Sequence, residues 1–280
     1  MCEKKMENYS VLMSVYNKVK AEELNLSIRS MLHQTFAPEQ FVIVWDGPVD
    51  GNIKAIAAAY DAENPGLFTF VQLKKNMGLA YALNVGINTC RNDLVARMDS
   101  DDYSLPDRCE AQVRLFCEDS ELKLLGGNTQ HFRNRPENVI EAYGRHPVDE
   151  KAIKDCIRRN SAFSHPTVMF RKKAVVESGY YDEKLRRSQD HDLFSRMIYL
   201  GYKCMNIDKV LVLFRADEDC MLRNKNTESC KARVLIQKRL YKRGQCSFID
   251  YAYIRFMVFC MQIVPNFLYV RIYTLLKEKK

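Results

Sequence analysis

The chain has 280 residues, 47% of them hydrophobic and 28% charged, with a formal net charge of +8 at pH 7. This suits one large domain with an appendage or two modest domains, supplies ample apolar surface for a core, and excludes a disordered chain. Ten cysteines are scattered without a C-x-x-C pair, which speaks against a disulfide framework or a structural zinc site and for reduced thiols.

The opening MCEKKMENYS has no apolar h-region, so no secretory signal is expected and cytoplasmic residence is. Four short apolar runs then predict strands: Tyr9 to Val15, Phe41 to Trp45, Phe68 to Leu73 and Leu94 to Met98. Between them, AEELNLSIRSMLHQ spaces Leu24, Ile28 and Leu32 at helical intervals, and NIKAIAAAY and LAYALNVGIN share that pattern. Alternating strands and helices predict right-handed βαβ units and a mostly parallel sheet. Ligands collect at the carboxyl ends of such strands. That rule groups Tyr16 and Asn17, Asp46 and Gly47, Asn76 and Gly78, and Asp99 to Asp102 on one rim. Neither a G-x-G-x-x-G fingerprint nor a P-loop is present, so a dinucleotide enzyme or a Walker-type ATPase is not expected.

After Asp102 the rhythm loosens. DRCEAQVRLFCED predicts a helix, Lys123 to Thr129 a short strand, Arg133 to Pro147 a polar segment, and Glu150 to Arg159 a further helix. SHPTVMFRK reads as a strand and QDHDLFSRMIYLG as a helix with an acidic first turn, as the helix dipole prefers. Residues 221–280 hold 13 Lys or Arg against 3 Asp or Glu, so the positive charge is concentrated there. Within them, the apolar run from Phe248 is interrupted by Arg255, Gln262, Pro265, Asn266 and Arg271, short of the ~20 apolar residues of a spanning helix. A basic aromatic helix pair at a membrane interface and an amphipathic pair packed on protein both fit.

The densest chemistry is RMDSDD, Arg97 to Asp102, where three carboxylates fall within four residues at the end of a strand. Like charges so close raise the cost of ionising one another. A cation relieves that cost, and Asp-x-Asp offers hard oxygen ligands for Mg²⁺ or Mn²⁺ that also takes ligands from phosphates. An acidic turn or a helix N-cap is the competing explanation.

The segments SVLMSVYN, VWDGPVD, KNMGLAYALNVGI, LVARMDSDDYSLPDR, HPTVMFRK and SQDHDLFSRM together resemble the family 2 glycosyltransferases of the GT-A fold. The resemblance is to the bacterial subset that builds exopolysaccharide, capsule or lipopolysaccharide, of the amylovoran-biosynthesis type. It covers residues 9 to 215 and implies an α/β fold, a mostly parallel Rossmann-like sheet flanked by helices, followed by a C-terminal helical tail. The implied GT-A domain spans 1–215, with a nucleotide-sugar half at about 9–105, an acceptor half at about 106–215, and the basic tail at 216–280. Ser14, Val15, Tyr16, Asn17 and Asp46 match positions that hold the nucleotide base, Tyr16 by stacking and Asp46 by accepting from a uracil-type N–H. Asn76 and Gly78 match the loop beside the nucleotide, Asp99 and Ser100 the donor ribose or sugar contacts, and Arg97 a structural or phosphate-pairing partner of this cluster. Asp101 matches the metal ligand, Asp99 a second one through water, and His165 a residue near the diphosphate or metal. Asp190 matches the catalytic base, with Asp192 as the alternative. Gln189 stands where the family normally has Glu. Arg171 or Lys172 could reach the donor phosphates, a solvated charge being the simpler explanation.

The Q-x-x-R-W signature of processive synthases is missing, which implies one sugar per event. The resulting expectation is an inverting transferase that uses Mn²⁺ or Mg²⁺ to move one sugar from a nucleotide diphosphate donor, a UDP-sugar, to a hydroxyl of a glycan or lipid-linked glycan. It would work in the cytoplasm at the inner face of the membrane, with the tail on anionic lipid and no nucleic acid as partner. A catalytically silent nucleotide-sugar-binding module and a nucleotidyltransferase are the alternatives.

Overall fold

The structure, a computed structural model, describes residues 5–216 and 225–265, with the side chains of 141–143 excepted. Strands β1 (Tyr9–Val15), β2 (Gln40–Trp45), β3 (Phe68–Gln72) and β4 (Leu94–Met98) form the first half of one sheet. Helices α1 (Ala21–Leu32), α2 (Gly51–Glu63) and α3 (Leu79–Thr89) connect them. All pairings among these strands are parallel, as short strands joined by helical crossovers require. Both faces of the sheet are covered, so β1 reads as a continuous apolar run. Val11, Met13 and Val15 enter one core beside Leu24 and Ile28 of α1, while Leu12 enters the other beside Leu83 and Ile87 of α3.

The second half is mixed. A short β5 (Tyr103–Ser104) is followed by α4 (Arg108–Glu118), β6 (Leu122–Phe132), β7 (Val139–Gly144), α5 (Glu150–Ile157) and a 3₁₀ turn at His165–Thr167. Then come β8 (Met169–Arg171), α6 (Lys172–Glu177), α7 (Gln189–Tyr199) and β9 (Lys203–Arg215). The strand order is β3-β2-β1-β4-β8-β6-β9-β5, with β7 on β6. β8 runs antiparallel to β4 and β6, while β6 and β9 are parallel. The strand expected over SHPTVMFRK is therefore only Met169–Arg171. Pro166, which lacks an N–H for a ladder, lies in the 3₁₀ turn before it. The short strand expected from Lys123 extends to Phe132 because β9, which has no clear alternation, pairs with it along its length.

Beyond the undescribed residues 217–224, α8 (Thr227–Lys242) and α9 (Phe248–Ile263) pack on each other. A Ser247–Asp250 capping box starts α9. Asp250 also accepts from Arg158 at 2.8 Å and Arg159 at 2.7 Å, which pins α9 to the end of α5. The second helix expected of the C-terminal pair falls on residues 266–280, outside the described residues.

Candidate active site

The rim at the carboxyl ends of β1 to β4 forms as the strand periodicity predicts. Ser14 and Val15 pair in register with Val44 and Trp45, so the chain leaves the sheet at neighbouring points. Tyr16 and Asn17 are exposed there, while Val15 is buried. Asp46 is buried, and its carboxylate holds the next loop: one oxygen accepts from the Met77 N–H at 2.6 Å, the other from the Gly78 N–H at 3.0 Å. The Asn76 amide donates to the Asp46 carbonyl at 3.2 Å. These are charge-assisted bonds from backbone donors. Each oxygen keeps a lone pair, which is what a donor N–H from a base would need. Gly47, at φ +91°, permits this closeness, since a Cβ there would lie 2.6 Å from the Asn76 nitrogen.

The three carboxylates after β4 are kept apart in charge. Arg97, fully buried, takes both oxygens of Asp99, with Nη1 at 2.5 Å from Oδ2 and Nη2 on Oδ1. Asp102 is buried. One of its oxygens accepts from the Arg215 N–H at 2.9 Å, and the other has no hydrogen-bond partner among the described residues. Burial first, then Asp99 and Asp101, raise its pKa well above the ordinary carboxylate value. Burial, with Asp99 and Glu23 adding to it, pushes the Asp101 pKa up to about 6. Ser100 is buried between them, and the Ser27 hydroxyl fixes the turn by donating to the Asp99 carbonyl at 2.6 Å.

α7 brings Asp190 into the same electrostatic neighbourhood. Its pKa is raised, chiefly by burial; the His191 N–H and the Arg97 charge oppose the rise and Asp99 adds to it. The helix dipole alone favours a depressed value, and here burial outweighs it. His165 joins the group through the 3₁₀ turn: Arg97 N–H donates to the Val168 carbonyl at 3.0 Å, which runs this turn along the end of β4. Its Nε2 is 2.9 Å from the Tyr181 hydroxyl, and its ring lies against Tyr181 and Phe194. Burial and the Arg97 charge push its pKa well down, so the imidazole is neutral and Nδ1 is the ring nitrogen left for a ligand. Gln189 is buried, with its Oε1 lacking a hydrogen-bond partner among the described residues.

Two residues lie elsewhere. The Leu94–Arg171 register places Arg171 at the amino end of β4, where it pairs with Glu7 at 2.6 Å and Asp93 at 3.3 Å. Lys172 donates to the Cys90 carbonyl at 2.7 Å on that same edge. Antiparallel β8 thus carries both to the edge opposite the rim, which sets aside the phosphate-contact reading of either and leaves them as structural charges. Asp192 is buried with one oxygen 3.0 Å from Arg196 and the other 3.0 Å from Arg239, which leaves it unsuited to take a proton from a substrate.

Glu23, Ser27, Tyr181 and Arg215 enter the site without any local sequence signal. Arg215 ends β9, donates from Nε to the Asp101 carbonyl at 2.8 Å and stacks on Phe132 at 4.6 Å. It ties the acidic turn to a strand more than a hundred residues away in sequence.

A parallel half ending in an Asp-x-Asp turn, joined to a mixed half that delivers a half-buried carboxylate, is the GT-A glycosyltransferase architecture. Among solved structures, Staphylococcus aureus TarS residues 1–349 in complex with UDP superimposes with a TM-score of 0.61 at 17% identity, covering 90% of this chain and 70% of that one. Of a longer TarS chain this protein spans 41%. The mannosyltransferase PcManGT from Pyrobaculum calidifontis, in complex with GDP-Man and Mn²⁺, gives a TM-score of 0.65 at 13% identity, covering 91% and 70%. The chain belongs to Glycosyl transferase family 2, whose family model matches residues 10–179. It is 34% identical over 265 residues to the amylovoran biosynthesis glycosyltransferase AmsE of Erwinia amylovora, covering 93% of this chain and 97% of that protein. It is 28% identical over 246 residues to the UDP-Gal:alpha-D-GlcNAc-diphosphoundecaprenol beta-1,3-galactosyltransferase of Escherichia coli, covering 87% and 86%. Family membership sets the nucleotidyltransferase reading aside: the protein is a family 2 glycosyltransferase.

Proposed function

We propose that this glycosyltransferase transfers one hexosyl or N-acetylhexosaminyl unit, with inversion, from a UDP-sugar to a hydroxyl of a lipid-linked glycan during cell-surface polysaccharide synthesis. The observation that carries the reading is the meeting, around the fully buried Arg97, of the Asp99–Asp102 turn and Asp190. The names of the Erwinia and Escherichia relatives support the polysaccharide role and the lipid-linked acceptor, and the complex of TarS with UDP supports the nucleotide.

On this reading Ser14 to Asn17 and Asp46 hold the base, with Tyr16 stacking on it, and Asn76 and Gly78 close over the nucleotide. The acidic turn fits Mn²⁺ or Mg²⁺. Its donors are hard oxygens, and Asp101 sits where a cation relieves the burial and repulsion that raise its pKa. Among the described residues no group of three or more His, Cys, Asp or Glu forms a closed cage. Mg²⁺-type sites need only one or two carboxylates, with water and substrate phosphates as the remaining ligands. Asp101 would be the direct ligand, and Asp99, already gripped by Arg97, would act through water. A bound metal would stabilise negative charge on the leaving diphosphate. Asp190 takes the proton of the acceptor hydroxyl as that oxygen attacks the anomeric carbon from the face opposite the nucleotide. Its raised pKa makes it a stronger base than a solvated carboxylate while it remains ionisable. Neutral His165 and Tyr181 line the same space without adding charge. Residues 1–215 would be the catalytic domain and 216–280 a basic helical segment.

No helix among the described residues is long and apolar enough to cross a membrane. We propose instead that α9 lies on anionic lipid at the cytoplasmic face. Ile249, Tyr253, Phe256, Phe259 and Ile263 are all exposed and recur at helical spacing on one side of it, opposite the buried Asp250, Ile254 and Val258. Arg255 and the positive excess of residues 221–280 supply the charge.

The test is a panel of UDP-hexoses and UDP-N-acetylhexosamines with Mn²⁺ and a sugar-diphospho-lipid acceptor, read as thermal stabilisation and as UDP release, for the parent and Asp190→Asn. Stabilisation by a donor, turnover by the parent, and a roughly 10²- to 10⁴-fold loss of turnover with retained UDP binding in the variant are expected. A parent that binds UDP-sugars yet turns none over with any acceptor would favour the silent binding module.

A further inference from the structure

We infer that Arg239, in the C-terminal helix α8, is a positioning residue for the base helix α7: its guanidinium staples the two ends of the turn from which Asp190 is presented. The inference rests on Asp190 being the base. Its observations are geometric. α7 begins at Ser188, a non-glycine residue in the left-handed region at φ 55°, and Tyr180, at the start of the same loop, is left-handed at φ 59°. Such conformations persist only where the surroundings hold them, and they gather at functional sites.

Asn84 of α3 holds the first part of this loop, donating to the Tyr181 carbonyl at 2.9 Å and accepting from the Tyr181 N–H at 3.0 Å, and Asp192 with two arginines holds it across Ser188. Arg239 donates from Nη2 to Asp182 at 2.6 Å, before Ser188, and from Nη1 to Asp192 at 3.0 Å, after it. Arg196 donates from Nε to the other Asp192 oxygen at 3.0 Å, from Nη2 to the Tyr180 carbonyl at 2.5 Å, and from Nη1 to the Ser178 carbonyl. Two more contacts fasten α7 to the C-terminal segment: Arg243 donates to the Ser195 hydroxyl at 2.7 Å and Gln245 to the Ser195 carbonyl at 2.8 Å. Leu185, in the middle of the loop, packs among Ala232, Ile236, Leu240 and Cys246.

Successive helix residues are 100° apart, so Asp192 projects from the side of α7 opposite Asp190. The clamp therefore lies behind the base and sets where α7 starts without touching substrate. A planar guanidinium can reach two carboxylates on either side of Ser188 at once, whereas an ammonium serves as one point charge. On this account α8 positions the base helix of the catalytic domain from outside it, whatever surface α9 contacts.

The experiment uses the full chain with Arg239→Gln, Arg239→Lys, Asp182→Asn and, as reference, Asp190→Asn. UDP with Mn²⁺ is the binding probe. Turnover is followed with the panel donor the parent uses and a sugar-diphospho-lipid acceptor. A misplacement of about 1 Å can cost on the order of 10²-fold in rate. Arg239→Gln should therefore lower kcat roughly 10- to 100-fold, with the UDP Kd and the acceptor KM within about twofold of the parent; Arg239→Lys should recover part of the loss. A variant that melts earlier yet turns over at the parent rate below its melting range, or that loses UDP affinity in step with kcat, overturns the inference. Should Arg239→Gln fail to fold, parent-level kcat in both Arg239→Lys and Asp182→Asn does the same. A dead Asp190→Asn beside fully active clamp variants sinks this inference alone, while an active Asp190→Asn sinks the base assignment with it.

Discussion

Asp101→Asn should make the ligand-free protein more stable while removing its response to metal and nucleotide, two effects of opposite sign from one atom change. Burial beside Asp99 and Glu23 lifts the Asp101 pKa from 3.8 to about 6. A rise of about two units corresponds to ~3 kcal/mol at 1.36 kcal/mol per unit. The side chain is only partly buried, and solvent screening reduces this to ~1 kcal/mol. The sign follows from proton uptake. Between about pH 4 and pH 6 the native chain keeps a proton that the unfolded chain has released, so native stability falls as pH rises through that window, and the cost is complete above about pH 6. Asn carries no such cost. At about pH 7.5 the variant should melt roughly 2–4 °C higher than the parent, and at about pH 4 the two should coincide. In the second arm, UDP with Mn²⁺ at ~100 times its Kd should stabilise the parent by about 2.7 kcal/mol and the variant by far less. Differential scanning calorimetry with and without ligand reads both. Equal melting temperatures near pH 7.5 would refute the account of the buried charge, and an undiminished Mn²⁺-dependent UDP effect in the variant would refute Asp101 as ligand.

Because burial raises the Asp190 pKa, the acid limb of the kcat–pH profile should lie above the ordinary carboxylate range; a rate flat down to about pH 4 would contradict a buried base. Asp46→Asn turns two charge-assisted bonds to the Met77 and Gly78 amides into at most one, which should cost roughly 1.5–3 kcal/mol of loop stability and weaken UDP binding. Hydrogen exchange at these amides together with UDP calorimetry checks this, and unchanged protection would count against it. The double variant Phe256→Glu/Phe259→Glu should release the protein from phosphatidylglycerol vesicles with the fold intact, and parent binding should weaken with salt. A parent that ignores such vesicles at low ionic strength would leave the α9 face to a protein partner.

The sequence by itself determined the parallel half and its rim. Short apolar runs, helical spacing between them and polar residues at strand ends are local patterns, and each of β1 to β4 satisfies its own, so Tyr16, Asp46, Gly78 and Asp99 fall on one rim from the sequence alone. The acidic α7 turn was legible for the same reason. What each carboxylate does was not. Asp99, Asp101 and Asp102 are near neighbours in one turn, yet one is bound by Arg97, one has its pKa pushed up to about 6 and one is fully buried with its pKa raised well above the ordinary value, because ionisation follows burial and distant charges. Only the tertiary structure could assign Arg171 to the far edge, since direction along β8 depends on which strand it joins and in which sense. The same holds for Asp192, whose partners Arg196 and Arg239 stand 4 and 47 residues away. The first is visible as a helical repeat. The second exists only because α8 folds back on α7, a contact whose loop-closure cost is offset by the packing of Leu185 and the hydrogen bonds of Arg239, Arg243 and Gln245, and which no local pattern encodes.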